Sequence, residues 1–355
     1  MTNNQLQKIG WNEFFKDNMA VKLENTFPAR VIAQKGDVYT LLSEQGEHNA
    51  KVTGKFRFNT KQVKDFPVVG DFVIVGKAKG SDNIQIHELL DRKNSFSRKM
   101  PISGGRKLKD NMIDGGVTEE QVIAANLDVI FVICGLDGNF SIPRLERYLA
   151  LIRHQNLNVA ILLNKLDLCE NMEEKINEVS KIAGNAPVLA VSALTKQGIG
   201  QLSEYITCGK TIAFVGSSGV GKSTLLNSLF EDQVQITNTT SDHSGKGKHT
   251  TTHRQMFFHQ TGCMIIDTPG MKELQLWADE EDISTVYQAV IDTIARCKFS
   301  NCTHDGEPGC AIKDALDSGE LSEQRYIRYK KSLKEVRRLE ERKREYKNKK
   351  MKRGR

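Results

Sequence analysis

Gly216, Gly219 and Gly221 free the backbone of the run Gly216 to Thr224 (GSSGVGKST) to curl until successive amide N–H groups face one point. The amides of Gly216, Ser217, Ser218, Gly219, Val220 and Gly221 are then placed to cradle phosphate oxygens. Lys222 is placed to neutralise β- and γ-phosphates, the Ser223 hydroxyl to bind Mg²⁺, and Thr224 to lead into a helix whose dipole adds to the site. About fifty residues earlier, Asn164-Lys165-Leu166-Asp167 offers a carboxylate, Asp167, that can accept from both N1–H and the exocyclic amine of guanine. Adenine has no such donor pair on that edge, so this run selects the base. Asn164 would brace the loop and reach N7, and the Lys165 stem would lie over the ring.

Ser192-Ala193-Leu194 is the third base-side loop, with a backbone N–H for guanine O6. On the metal side, Asp267 opens the run DTPG (267–270) and is expected to hold Mg²⁺ through water, while the Gly270 N–H meets the γ-phosphate. Between them lies SGKGKHTTTH (244–253), from which Thr251, with Thr250 close behind, is expected to reach Mg²⁺. The residue after DTPG is Met271, which cannot orient a water. His249 is the nearest side chain with a suitable pKa, and it is expected to position the attacking water. Met271 also keeps a second reading open, a nucleotide-sensing RNA-binding module with negligible turnover. A third, an ATP-dependent P-loop kinase or transporter-type enzyme, is opposed by Asp167.

A separate constellation closes the list. Cys297-x4-Cys302-x-His304-x5-Cys310 sets three thiolates and an imidazole within fourteen residues, a donor set for one tetrahedral Zn²⁺ with no open position, hence a structural site.

These residues need elements to hold them. Val129–Cys134, Val159–Leu163, Val188–Val191, Ile212–Val215 and Met264–Ile266 are continuous apolar runs, each ending in a loop. Such runs predict parallel strands covered on both faces, with ligands at their carboxyl edge. The base-reading run precedes the phosphate loop, and DTPG comes last, so the order of a small GTPase is rotated: the α/β domain is circularly permuted. Upstream, Phe27–Ile32, Val38–Leu42, Ala50–Phe58, Val69–Val75 and Ile84–Leu89 alternate or are β-rich between glycine-marked turns, which predicts a five-stranded OB-type barrel. A basic loop is expected over Arg92–Gly116. Downstream, Tyr326, Tyr329, Leu333 and Val336 recur at helical spacing on a Lys/Arg/Glu-rich helix, its last residues fraying into solvent. The expected domains are 1–110, barrel with basic linker; 111–275, permuted GTPase; and 276–355, helical zinc-binding domain with a basic tail.

Composition narrows the partners. From Ser322 to Arg355 there are sixteen Lys/Arg against five Asp/Glu, in a chain of net charge +7, so the basicity belongs to the tail and points to nucleic acid. No apolar run approaches the roughly 18 residues of a membrane span. The N-terminus lacks the pattern of a secretion signal, and seven cysteines, four of them scattered singly, fit a reducing cytoplasm.

Together the permuted motif order and the Cys₃His cluster resemble the RsgA/YjeQ ribosome small-subunit-dependent GTPases, over nearly the whole chain. The resemblance implies an N-terminal OB fold, a GTPase core and a helical zinc domain. It also implies hydrolysis of GTP to GDP and phosphate, stimulated by the 30S subunit during its late maturation in the cytoplasm. The expected partners are the 30S particle and 16S rRNA, with no membrane, and the protein itself is expected to be a monomer.

Overall fold

The structure is a computed structural model that describes residues 4–19, 25–78, 82–99, 120–217, 219–230, 254–267, 287–334, 337 and 341. The chain divides into two compact units: Met1–Met100 with Glu119–Leu145 and Gln155–Leu274, and Pro101–Thr118 with Glu146–His154 and Gln275–Arg355.

The first unit begins with two short helices, α1 (Asn4–Lys8) and α2 (Glu13–Asp17), the second capped by the Asn12 side chain. A closed five-stranded barrel follows: β1 (Thr26–Lys35), β2 (Val38–Ser43), β3 (Gly46–Val52), β4 (Phe72–Lys77) and β5 (Ile84–Leu89). β1 pairs antiparallel with both β2 and β4, β3 runs parallel to β5, and β5 returns to β4, so every strand has two neighbours and the edge problem is solved by closure. Alternate residues (Ala29, Val31, Tyr39, Leu41, Val73, Val75, Ile86) fill the interior.

The expected strand Ala50–Phe58 stops at Val52. Thr53 accepts from the Phe56 N–H (3.1 Å) and starts helix α3 (Gly54–Asn59) instead. Phenylalanines two apart imitate a strand pattern, but here they send Phe56 inward and Phe58 outward on a helix. The expected Val69–Val75 strand begins later, because Val68–Asp71 is a turn. Gly70 sits at φ +99° and the Asp71 carboxylate accepts from the Val68 N–H. Asp71 is fully buried against Arg92, whose guanidinium also caps the Lys64 and Phe66 carbonyls.

The expected basic loop also begins as structure. β6 (Ser95–Lys99) pairs antiparallel with β7 (Glu120–Ala125), and residues 100–116 of that loop lie outside those described. Phe96 is buried in this pair, a position that only a partner distant in sequence can create.

Beyond β7 stands the α/β sheet, in the order β10-β9-β8-β11-β13-β12. Five strands are parallel: β8 (Val129–Gly135), β9 (Val159–Asn164), β10 (Val188–Ala190), β11 (Thr211–Val215) and β13 (Met264–Asp267). β12 (Arg254–Phe258), which the sequence reading did not anticipate, is antiparallel to β13 and also pairs with β1 through Ala33 and Gln34. Barrel and α/β sheet are thereby one eleven-stranded hydrogen-bonded sheet. Helices α4 (Ile142–His154), α5 (Met172–Ala183) and α6 (Lys222–Phe230) follow β8, β9 and β11. The sheet face carrying Phe131, Ile133, Leu162, Phe214 and Ile265 packs with Leu225 and Leu226 of α6.

Arg30 locks the first unit near the start of the sheet. It is 1% exposed and donates to the carbonyls of Ile9, Gly70 and Asn126, one from each neighbouring segment, and to the Met264 sulfur. Burial pushes its pKa down to about 10, with Asp128 and Asp71 opposing.

In the second unit, α7 (Gln288–Ala295), α8 (Ala311–Asp317) and a helix over 323–334, α9, surround a core of Tyr287, Val290, Ile312, Ala315, Leu321 and Tyr326, with Tyr329 and Leu333 half-buried against it. The apolar stripe of α9 thus faces this core as expected. Val336 and the tail expected to fray lie outside the described residues.

Candidate nucleotide site and metal cluster

Parallel alignment puts the ends of β8, β9, β10, β11 and β13 at one edge of the sheet, and four of the expected loops there are at least partly described. Gly135 registers with Asn164, and Phe214 with Asp267, so the base-side and metal-side residues flank the central phosphate loop.

Asn164 is the joint. It is 1% exposed; its Nδ2 donates to the Val220 carbonyl of the phosphate loop (2.9 Å), and its Oδ1 accepts from the Ala193 N–H (2.9 Å). One amide therefore ties three loops together. Gly221 lies so close to Asn164 Nδ2 that any Cβ there would collide, and its φ of +93° is in the left-handed region. Gly216 faces the Ile133 carbonyl just as tightly, where a Cβ would sit 2.5 Å away. The glycines are demanded by packing within the fold as well as by the approach of a phosphate.

Lys165 follows Asn164 at φ +66°, and its Nζ pairs with Asp137 (2.6 Å), which holds that carboxyl below the ordinary range. Leu166 opens a short turn whose N–H donates to the Val191 carbonyl (3.1 Å). Asp167 accepts from the Ser192 hydroxyl (2.5 Å), which also receives the Thr195 N–H. The carboxylate is aimed by a side chain of the neighbouring loop.

In the phosphate loop, Lys222 Nζ donates to the carbonyls of Gly216 and Ser217 (both 2.7 Å) and holds the curl. Burial lowers its pKa, with Asp267 at the end of β13 acting the other way. Arg144 at the start of α4 donates to Ser217 Oγ (3.0 Å). Ser223 and Thr224 stand exposed on the first turn of α6. Asp137 and Arg144 were not picked out by sequence reasoning; the run GLDGNF (135–140), at the end of an apolar strand, could have signalled Asp137, whereas no sequence signal marks Arg144. Ser218, His249, Thr251 and Gly270 lie outside the described residues.

The Cys₃His set does come together. The ligand atoms of Cys297, Cys302, His304 and Cys310 lie within 4.8 Å of one another, and the Sγ atoms of Cys297 and Cys310 are each 3.6 Å from His304 Nδ1. His304 is held at φ +62° in the turn, and Glu307 receives the Thr303 and Asp305 N–H groups, pinning the loop between the ligands. The cluster can hold one metal ion.

Fold and site define a circularly permuted P-loop GTPase. A family model described as RsgA GTPase matches residues 106–277. The small ribosomal subunit biogenesis GTPase RsgA of Opitutus terrae is 38% identical over 340 residues, covering 93% of this chain and 89% of the relative. Its counterpart in Syntrophotalea carbinolica is 38% identical over 333 residues, with the same two coverages of 93% and 89%. The crystal structure of YjeQ from Thermotoga maritima superposes with a TM-score of 0.59 at 27% identity, covering 88% of this chain and 98% of that one. YloQ, a circularly permuted GTPase, shares the fold at 22% identity, TM-score 0.57, over 89% of this chain and 96% of that one. The chain belongs to the RsgA GTPase family and is a GTP-hydrolysing enzyme.

Proposed function

We propose that this GTPase acts in late maturation of the 30S ribosomal subunit in the cytoplasm, as a monomer that binds 16S rRNA and turns over GTP fastest on the small subunit. The relatives bearing the small-subunit biogenesis name span most of this chain, which supports the reading. The described residues include no helix long and apolar enough to cross a membrane. The division of labour proposed is barrel and basic linker over 1–110, permuted GTPase over 111–275, and metal-binding helical segment with basic tail over 276–355.

The observation that carries the guanine assignment is the Asn164 bridge, with Asp167 steered by Ser192. Base and phosphates are then read by one connected frame: Asp167 takes the guanine N–H donors, the loop Ser192-Ala193-Leu194 lies on the O6 side, and Gly216–Gly221 with Lys222 take the phosphates. Mg²⁺ would be held by Ser223 and Asp267, with Thr251, and would offset charge on the β- and γ-phosphates. Gly270 is proposed to meet the γ-phosphate and His249 to position water.

For the cluster we favour Zn²⁺. Zn–S of about 2.3 Å and Zn–N of about 2.0–2.1 Å at tetrahedral angles place sulfur and nitrogen roughly 3.6 Å apart, which the two sulfur–nitrogen distances of 3.6 Å match. With all four positions filled by protein, its role is structural.

GTP turnover measured with and without purified 30S subunits, beside 50S subunits, tests the reading. Stimulation by 30S alone is the expected result. Equal rates in all three samples would remove the small subunit from the proposal and leave the GTPase standing.

A further inference from the structure

Phe58 is 87% exposed, the most exposed large apolar side chain described. Nothing in the barrel requires it. α3 is anchored by Phe56, two residues earlier and therefore on the opposite side of the helix, which packs against the barrel core and beside Phe66 (ring centroids 6.1 Å apart). Thr53 and Thr60 close the two ends of α3, so its fold is complete without Phe58.

The chemistry around this ring is one-sided. From His48 to Lys64 the chain carries five Lys/Arg and no Asp/Glu. Lys51 pairs with Asp37 and Lys64 with Glu120, which leaves Lys55, Arg57 and Lys61 exposed, with no ion pair among the described residues. Lys55 stands three residues before Phe58, hence on the same side of the helix, with Arg57 adjacent and Lys61 just past the C-cap. A bare aromatic face beside Lys55 and Lys61, with Arg57 adjacent and close enough to Asp37 to help Lys51 lower that carboxyl's pKa, is an arrangement that can take a base on the ring and phosphates on the cations.

We propose that this cap of the barrel docks single-stranded RNA, one unpaired base stacking on Phe58 and the flanking phosphates lying on Lys55, Arg57 and Lys61. The strand is single because a ring can stack only on a base whose face is free, and the bases of an A-form duplex stack on each other. The inference rests on the small-subunit reading and names the residues by which RNA of that particle would be gripped.

The test uses the full-length protein and a fluorescein-labelled oligouridylate followed by anisotropy, with a duplex of equal length as competitor. Phe58→Ala should weaken binding by about five-fold or more, the low end of what one base stack contributes, and Phe58→Trp should restore it, with a change in tryptophan fluorescence on adding RNA. Replacing Lys55, Arg57 and Lys61 together by Ala should lower the log–log salt slope by about 2, three phosphates' worth for a single strand. The duplex should compete poorly, and basal GTP turnover should be unchanged in every variant.

Wild-type affinity in Phe58→Ala would overturn the inference. So would weakened 30S binding with free RNA unaffected, which would make the ring a contact for a ribosomal protein. Stimulation by 30S, run in parallel, separates the two levels. If wild type is stimulated and Phe58→Ala binds RNA normally, only the inference falls; if wild type is not stimulated and binds no RNA, the small-subunit reading falls with it.

Discussion

Replacing Asn164 by Ala removes two hydrogen bonds of 2.9 Å and leaves the Val220 carbonyl and the Ala193 N–H, both in a buried setting, without that partner. Each such bond contributes about 0.5–1.5 kcal/mol net, and an unsatisfied buried group costs about 1–3 kcal/mol. Relaxation of the loops recovers part of this, so a loss of roughly 2–3 kcal/mol is expected. For a unit of this size that corresponds to a fall in Tm of roughly 5–10 °C. The effect on ligand follows from the topology of the bridge. Phosphate loop and base loops no longer arrive pre-aligned, so the ligand must order them, and about 1.4–2.8 kcal/mol spent on ordering raises Kd roughly 10- to 100-fold. Because the bridge touches the α/β-phosphate cradle and the base side, GTP and GDP should lose affinity equally. Fluorescence titration with labelled GTP and GDP, beside thermal unfolding without nucleotide, measures both quantities. A Kd within about three-fold of wild type for either nucleotide, with Tm unchanged, would refute the bridge as the organising contact. A loss confined to GTP would place the role of Asn164 at the γ-phosphate instead.

Asp167→Asn should exchange guanine for xanthine preference, read as competition by XDP against labelled GDP; unchanged guanine selectivity would remove Asp167 from base recognition. Arg92→Ala leaves Asp71 buried without its partner, and breaking such a pair costs on the order of 3–5 kcal/mol, a fall in Tm of about 10 °C or more. Burial already raises the Asp71 pKa and Arg92 opposes it, so the variant raises it further. A carboxyl raised above its unfolded value loses stability as pH increases, so the deficit against wild type should be larger at pH 8 than at pH 5. Stripping the metal with a chelator should expose Cys297, Cys302 and Cys310 to a thiol reagent and melt the helices that share their core; Cys263, pushed up to about 12 by burial, and buried Cys134 should stay slow throughout. Equal thiol counts before and after chelation would contradict the metal assignment.

What the sequence disclosed, it disclosed through local pattern. The continuous apolar runs became β8, β9, β10, β11 and β13 within a residue or so of expectation, because a strand covered on both faces has no polar alternation to disguise it. The elements that escaped notice depend on distant partners. β12 is half-buried only because β13 and β1 lie on either side, and β6 is a strand only beside β7. The break at Thr53 turned on one side-chain oxygen reaching the Phe56 amide, a choice that the alternating phenylalanines obscured. At the site the pattern was the same. Motifs announced Asn164, Asp167 and Lys222, whereas Asp137 and Arg144 earn their places through contacts 28 and 73 residues away along the chain.

The pairing of β1 with β12 also sets a schedule for biosynthesis. The barrel closes only when β5 joins β3 to β4, some fifty residues after β1, but Ala33 and Gln34 wait for Arg254 and Gln255. At about 5–20 residues per second, the 165 residues from Leu89 to Arg254 take roughly 8–33 s of translation. Through that interval the nascent barrel is shaped but carries a short open ladder at one corner, where another chain can add a strand. The span is only two residues long, flanked by Lys35, and brevity beside a charge is how such a corner is kept from recruiting the wrong neighbour. The last of the described strands to leave the ribosome, β12 and β13, then complete the α/β sheet by registering on a barrel already in place, so the chain supplies its own template for the nucleotide-binding half.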